Sequence, residues 1–146
     1  SCMDTRLTEL LPAALGIRNG DAKLIKNAGG TILNPFDSNI RSLLVAIYEL
    51  GVNEIMVIAH TTCGACHMDG SEMIGLMKQR GITEATLETI RHCGIHLDEW
   101  LEGFHDTEES VRKTVECIRN HPLVPKDVNV RGFIIDSVTG ELCGVC

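Results

Sequence analysis

Aromatic residues are almost missing from this sequence: three Phe, one Tyr and one Trp among 146 residues. Any core must therefore be aliphatic, packed from Leu, Ile, Val and Met. No apolar run approaches the roughly 20 residues that a membrane helix needs. No basic start leads into an apolar stretch of the kind that marks an export signal. A surplus of positive charge is missing too, and a formal net charge of −7 argues against the basic face that nucleic acid would demand. Internal repeats and low-complexity linkers are absent. The length then fits one α/β domain over residues 1–146.

Cysteine is what the chain has instead, seven of them. An odd count in a chain with helical segments and no export signal fits reduced thiols in the cytoplasm, some serving as metal ligands, better than a disulfide framework.

The organising stretch is Ile55-Met-Val-Ile-Ala-His60-Thr-Thr-Cys63-Gly64. Its first half is a continuous apolar run suited to a strand, Glu54 to Ala59, buried on both faces. Its second half places an imidazole and a thiol three residues apart at the strand's C-terminal end, the edge where open α/β sheets bind ligands. Leu7, Leu10, Leu11, Ala14 and Leu15 follow helical spacing up to Gly16, with Pro12 limiting that helix. Asp21 to Lys26 reads as a short strand running into Asn27-Ala28-Gly29-Gly30. That glycine pair reads first as an ordinary turn, although it would also permit close backbone approach. Asp37 to Asn39 offers caps for a helix bearing Ile40, Leu43, Leu44, Ile47 and Leu50. A strand, a helix and a strand in this order predict a right-handed crossover and a parallel sheet. Helices are predicted over 71–79, 83–91 and around Leu97 to Leu101, and another begins at Asp106 and Glu109, which have capping-box spacing. Val128 to Ile135 is a last long strand, and Glu141 to Val145 an antiparallel edge strand.

Cys2, His60 and Cys63 can supply S, N and S to a zinc ion that keeps its fourth position for water, as catalytic sites do. Two thiolates would partly quench the Lewis acid and shift its working range to neutral or alkaline pH. Asp4 can accept a hydrogen bond from such a water, and Arg6 can hold Asp4 with a two-pronged contact. Without that clamp Asp4 could swing onto the metal and close the open position. In an extended segment Cys2, Asp4 and Arg6 project to one side.

Cys-x-Asp-x-Arg at Cys2 to Arg6, followed by His-x-x-Cys-Gly at His60 to Gly64, resembles the β-class carbonic anhydrases. Gly20-Asp21-Ala22 and Lys26-Asn27-Ala28-Gly29-Gly30 are similar to the short prokaryotic subgroup of that family. The resemblance implies zinc on Cys2, His60 and Cys63, with Asp4 and Arg6 as the catalytic dyad. It implies a mainly parallel sheet of four parallel strands plus an antiparallel edge strand, and a homodimer or higher multiple. The reaction it implies is reversible hydration of carbon dioxide to bicarbonate and a proton, by zinc-bound hydroxide. The backbone of Gly64 and the loop carrying Asn27, Gly29 and Gly30 are then expected beside the substrate. In the family a strand, and usually a helical arm, come before the first motif; here nothing stands before Cys2 but one serine. Other members hydrolyse carbonyl sulfide or carbon disulfide with the same ligands.

Two rival readings use Cys66. Cys63-Gly-Ala-Cys66-His67 is formally a haem-attachment sequence, and Cys66 as a fourth ligand would make the zinc structural, in a non-catalytic binding module. Cys93 and Cys117 read as small core residues, and Cys143 and Cys146 as incidental. His92, His96, His105 and His121 read as surface residues. His67 is the first candidate for a proton shuttle.

Overall fold

Strand β1 (Glu54–His60) is buried along most of its length, from Ile55 at 7% exposure to His60 at 0%. It pairs in parallel with β2 (Asn129–Ile135), in a register running from Glu54 opposite Asn129 to His60 opposite Ile135. A short β3 (Leu142–Gly144) adds antiparallel to β2, giving the order β1-β2-β3. The fold is thus α/β with a small mixed sheet. These observations come from a computed structural model describing residues 1–146.

The chain divides into two compact units. The first, Ser1–Cys63 with Asp106–Cys146, contains the sheet and helices α1 (Leu7–Leu15) and α2 (Ser38–Tyr48). The second, Gly64–His105, holds α3 (Gly70–Gln79), α4 (Glu84–His92) and α5 (Leu97–Leu101), packed around Ile74, Leu87 and Leu97. Helix α6 (Thr107–Arg119) opens the return to the first unit. Its face of Val111, Val115 and Ile118 packs with Ile40 and Ile47 of α2 and with Ile55, Val57 and Ala59 of β1. This is the aliphatic core that the shortage of aromatics requires. No helix is long and apolar enough to cross a membrane.

Local chemistry explains most boundaries. Asp37 caps α2 by accepting from the amides of Asn39 and Ile40, and Asp106 caps α6 by accepting from Glu109 N. The reciprocal half of the expected capping box is replaced by an i,i+4 pair, with Glu109 bound to Lys113. Pro12 does not limit α1, which runs through it. Proline at the helix interior leaves the carbonyl one turn earlier, that of exposed Thr8, to solvent. Left-handed Gly16 then closes the helix, with Gly16 N bound to Ala13 O and Ile17 N to Pro12 O.

Two further expectations fail in this unit. Asp21 to Lys26 forms no strand, because the sheet contact that follows it is one parallel bridge, Cys2 to Asn27, and a strand needs a ladder. His121 is not a surface residue but 2% exposed, and its ring is satisfied on both nitrogens: Nε2 donates to Pro35 O and Nδ1 accepts from Leu123 N. Among the cysteines read as core, Cys93 is exposed while Cys117 is partly buried, which pushes its thiol pKa up.

Ile118 is almost fully buried in this core, so Ile118→Ala should cost about 2–5 kcal/mol by urea denaturation, with far-UV circular dichroism unchanged at zero denaturant. A loss under about 0.5 kcal/mol would mean that the α6 contact is looser than described.

Candidate metal centre

The parallel register of β1 and β2 brings both C-terminal ends to one edge, and Thr61 N extends the pairing by bonding to Ile135 O at 3.0 Å. At that edge His60 ends β1 with its side chain fully buried, and Cys63 follows at 5% exposure. Cys2 arrives from elsewhere in the chain. Met3 N donates to Asn27 O and Asn27 N to Ser1 O, the two bonds of the bridge that holds Cys2 at 5% exposure. Gly29 and Gly30 make this approach possible. Both lie in the left-handed region, and a Cβ on Gly30 would come within 2.8 Å of Cys2 N. Gly30 therefore does more than turn the chain: its lack of a side chain seats the Cys2 backbone.

The three donor atoms of Cys2, His60 and Cys63 lie within 4.8 Å of one another. Cys2 Sγ and Cys63 Sγ are 3.8 Å apart, well beyond the about 2.05 Å of a disulfide. Two thiolates in a tetrahedral zinc shell, each about 2.3 Å from the metal, would stand about 3.8 Å apart. His60 Nδ1 lies 2.9 Å from Thr61 O, a contact that makes Nδ1 the protonated nitrogen and leaves Nε2 a bare lone pair. That Nε2 is buried without a hydrogen-bond partner. A buried acceptor left unsatisfied beside two buried sulfurs is a costly arrangement unless a cation completes it. The residues fit zinc.

An acid and a base stand at the mouth. Arg6 Nε and Nη2 grip the two Asp4 oxygens at 3.1 and 2.8 Å, and Arg6 N adds a third bond to Asp4 Oδ1. The Arg6 guanidinium, then its backbone amide, hold the Asp4 carboxyl well below the usual carboxylate range. Asp4 Oδ2 lies 3.8 Å from His60 Nε2. On its other side Arg6 Nη1 donates to Thr62 Oγ1 at 3.0 Å and Ser137 Oγ at 3.4 Å, and Nη2 donates to Thr62 O at 3.1 Å. Thr62 has a φ of 53°, the left-handed region that a β-branched residue rarely enters.

A family model described as carbonic anhydrase matches residues 1–142. The chain belongs to the β-carbonic anhydrase family. It is 49% identical over 142 residues to a putative carbonic anhydrase, YvdA, of Bacillus subtilis (strain 168), covering 97% of this chain and 72% of that protein. It is also 36% identical to a carbon disulfide hydrolase of Acidithiobacillus thiooxidans, over 97% of this chain and 73% of that one. Among solved structures, β-carbonic anhydrase isoform I of Trichomonas vaginalis superposes with a TM-score of 0.87 at 34% identity, covering 99% of this chain and 78% of that chain. The haem reading falls with this membership.

Of the residues named from the sequence, Cys2, Asp4, Arg6, His60 and Cys63 converge. Asn27 and Gly30 adjoin Cys2 as its backbone support, and Gly29 lies between them in the left-handed region. Gly64 opens the 3-10 turn Gly64–His67, where Cys66 Sγ contacts His105 O at 3.6 Å. Sequence reading assigned no role to Thr62 or Ser137. The signals available were slight: Thr62 lies inside the His-x-x-Cys spacing, and Ser137 lies just past the end of a strand.

Because the folded Asp4 pKa is depressed, its ionic contact with Arg6 is present above the ordinary carboxylate pKa and is lost only as pH falls through the lower folded value. The Asp4 carboxyl carbon should keep its ionised NMR shift at a pH of about 4, where a free aspartate is half protonated. A half-titrated signal there would contradict the clamp.

Proposed function

We propose that this chain binds one zinc ion through Cys2, His60 and Cys63 and catalyses the reversible hydration of carbon dioxide to bicarbonate and a proton. The observation that carries the reading is the orphaned Nε2 of His60 facing two sulfurs 3.8 Å apart, with an arginine-clamped carboxylate beside it. Bound zinc would supply Lewis acidity, bringing the pKa of water toward neutrality, moderated here by two thiolates. The chain's own residues do the rest. Asp4, kept ionised by Arg6, accepts a hydrogen bond from the attacking water and orients its lone pair toward carbon. Arg6 keeps that carboxylate from closing the open position. In this reading the backbone around Asn27, Gly29 and Gly30 borders the substrate. Reduced thiols at Cys2 and Cys63 suit a cytoplasmic setting. The family match over residues 1–142 spans both compact units, which supports one zinc-enzyme domain.

The relative named carbon disulfide hydrolase favours a second reading, hydrolysis of carbon disulfide or carbonyl sulfide at the same site. Linear triatomic substrates ask much the same of the metal, and the higher identity to a protein named carbonic anhydrase supports carbon dioxide as the first reading. A structural zinc in a binding module has less support, since such a site needs no acid–arginine pair.

Metal analysis combined with stopped-flow hydration across pH tests this function. The chain should hold about one zinc. Asp4→Ala should lower kcat for carbon dioxide about a hundredfold or more with zinc content unchanged. Turnover of carbon disulfide but not carbon dioxide would select the second reading, and loss of zinc from the variant would refute the role given to Asp4. We also read the chain as a homodimer or a multiple of it, supported by the apolar face that exposed Phe36, Val45 and Tyr48 present at α2. Sedimentation should give an even-numbered assembly; a monomer at micromolar concentration would exclude it.

A further inference from the structure

The Arg6 guanidinium has five N–H donors and no acceptor, and all five are engaged. Nε serves Asp4 Oδ1, Nη2 serves Asp4 Oδ2 and Thr62 O, and Nη1 serves Thr62 Oγ1 and Ser137 Oγ. Half of the fork grips the acid; the other half is held by two hydroxyls and a carbonyl. Arg6 is itself 45% exposed along its side chain. An arginine that open to water holds one orientation only if something fixes it, since ordering so long a side chain forfeits much rotamer freedom.

Ser137 is the buried member of that support, at 7% exposure. It sits in the turn after β2, where Asp136 Oδ1 accepts from the amides of Val138 and Thr139 and fixes the backbone. Ser137 N donates to Thr61 Oγ1 at 3.0 Å, and Ser137 Oγ lies 3.2 Å from Thr61 Oγ1 and 3.3 Å from Thr62 Oγ1. One proton per hydroxyl allows a consistent chain: Thr61 donates to Ser137 and Ser137 donates to Thr62, while both Ser137 and Thr62 accept from Arg6. The same bonds secure Thr62 in its left-handed conformation, which is strained for a β-branched residue and persists only where neighbours impose it. That conformation presents both the carbonyl and the hydroxyl of Thr62 to Arg6.

The geometry points to Ser137 as a positioning residue: through Thr62 it fixes Arg6, and through Arg6 it keeps the Asp4 carboxylate off the metal's open position. This rests on the zinc reading above. Asp4 Oδ2 is already 3.8 Å from His60 Nε2, so a modest loosening of the clamp lets it compete for the site.

Azide binding to the cobalt-substituted protein, followed by visible absorption without turnover, tests the role. Ser137→Ala should weaken azide binding about tenfold, the size of one lost hydrogen bond to a charged group. In an Asp4→Ala background the same substitution should change azide affinity less than about twofold, because the competing carboxylate is gone. Unchanged affinity in Ser137→Ala would overturn the proposal. So would an equal loss in both backgrounds, which would mark Ser137 as supporting the fold rather than Asp4. Failure of the parent protein to bind cobalt or azide would instead sink the metal reading, and this role with it.

Discussion

A sulfur near the start of the chain must be held against a histidine nearly sixty residues away, and the hold is slender. Three main-chain hydrogen bonds between the segments of Cys2 and Asn27 fix it, Met3 N to Asn27 O, Asn27 N to Ser1 O and Ser1 N to Ile25 O, at a place where Gly30 offers no side chain to push back. If that bridge moves, Cys2 leaves the group, and His60 Nε2 is buried beside a single thiol. The glycine pair, the isolated bridge and the buried imidazole are therefore one constraint described from three sides. The constraint is geometric before it is chemical: close backbone approach delivers the ligand, and burial then makes an unoccupied donor set costly.

Much of the fold was legible because its signals are local and strong. The run from Ile55 to Ala59 can be little other than a buried strand, and Asp37 and Asp106 cap the helices they precede. Two of the departures in the fold come from the opposite situation. Asp21 to Lys26 has the composition of a strand, but strand formation depends on a partner that composition does not reveal. Pro12 reads as a breaker by a rule that tertiary packing overrides, since buried Leu7 and Leu11 anchor the turn that leads into it.

The candidate site divides along similar lines. Cys2, Asp4, Arg6, His60 and Cys63 were readable because their residue types and spacings are uncommon together. Thr62 and Ser137 were not, since single hydroxyls in turns carry no distinguishing pattern and their meeting depends on the β1–β2 register. His121 was misread for a related reason. A histidine beside a proline looks like the end of a helix, and only the fold shows that its two nitrogens join the segment before α2 to the segment after α6.

Gly132 lies mid-strand in β2, where an added Cβ would fall 2.5 Å from Val111 Cγ1 and 2.9 Å from Cys146 Sγ. At this one point the spacing between helix and sheet is set by bare backbone rather than by interlocking side chains. A substitution there has to be absorbed by lifting α6 or by dislodging the last residue of the chain, and since α6 also packs on the strand that carries His60, the position couples the thickness of the core to the placement of the imidazole.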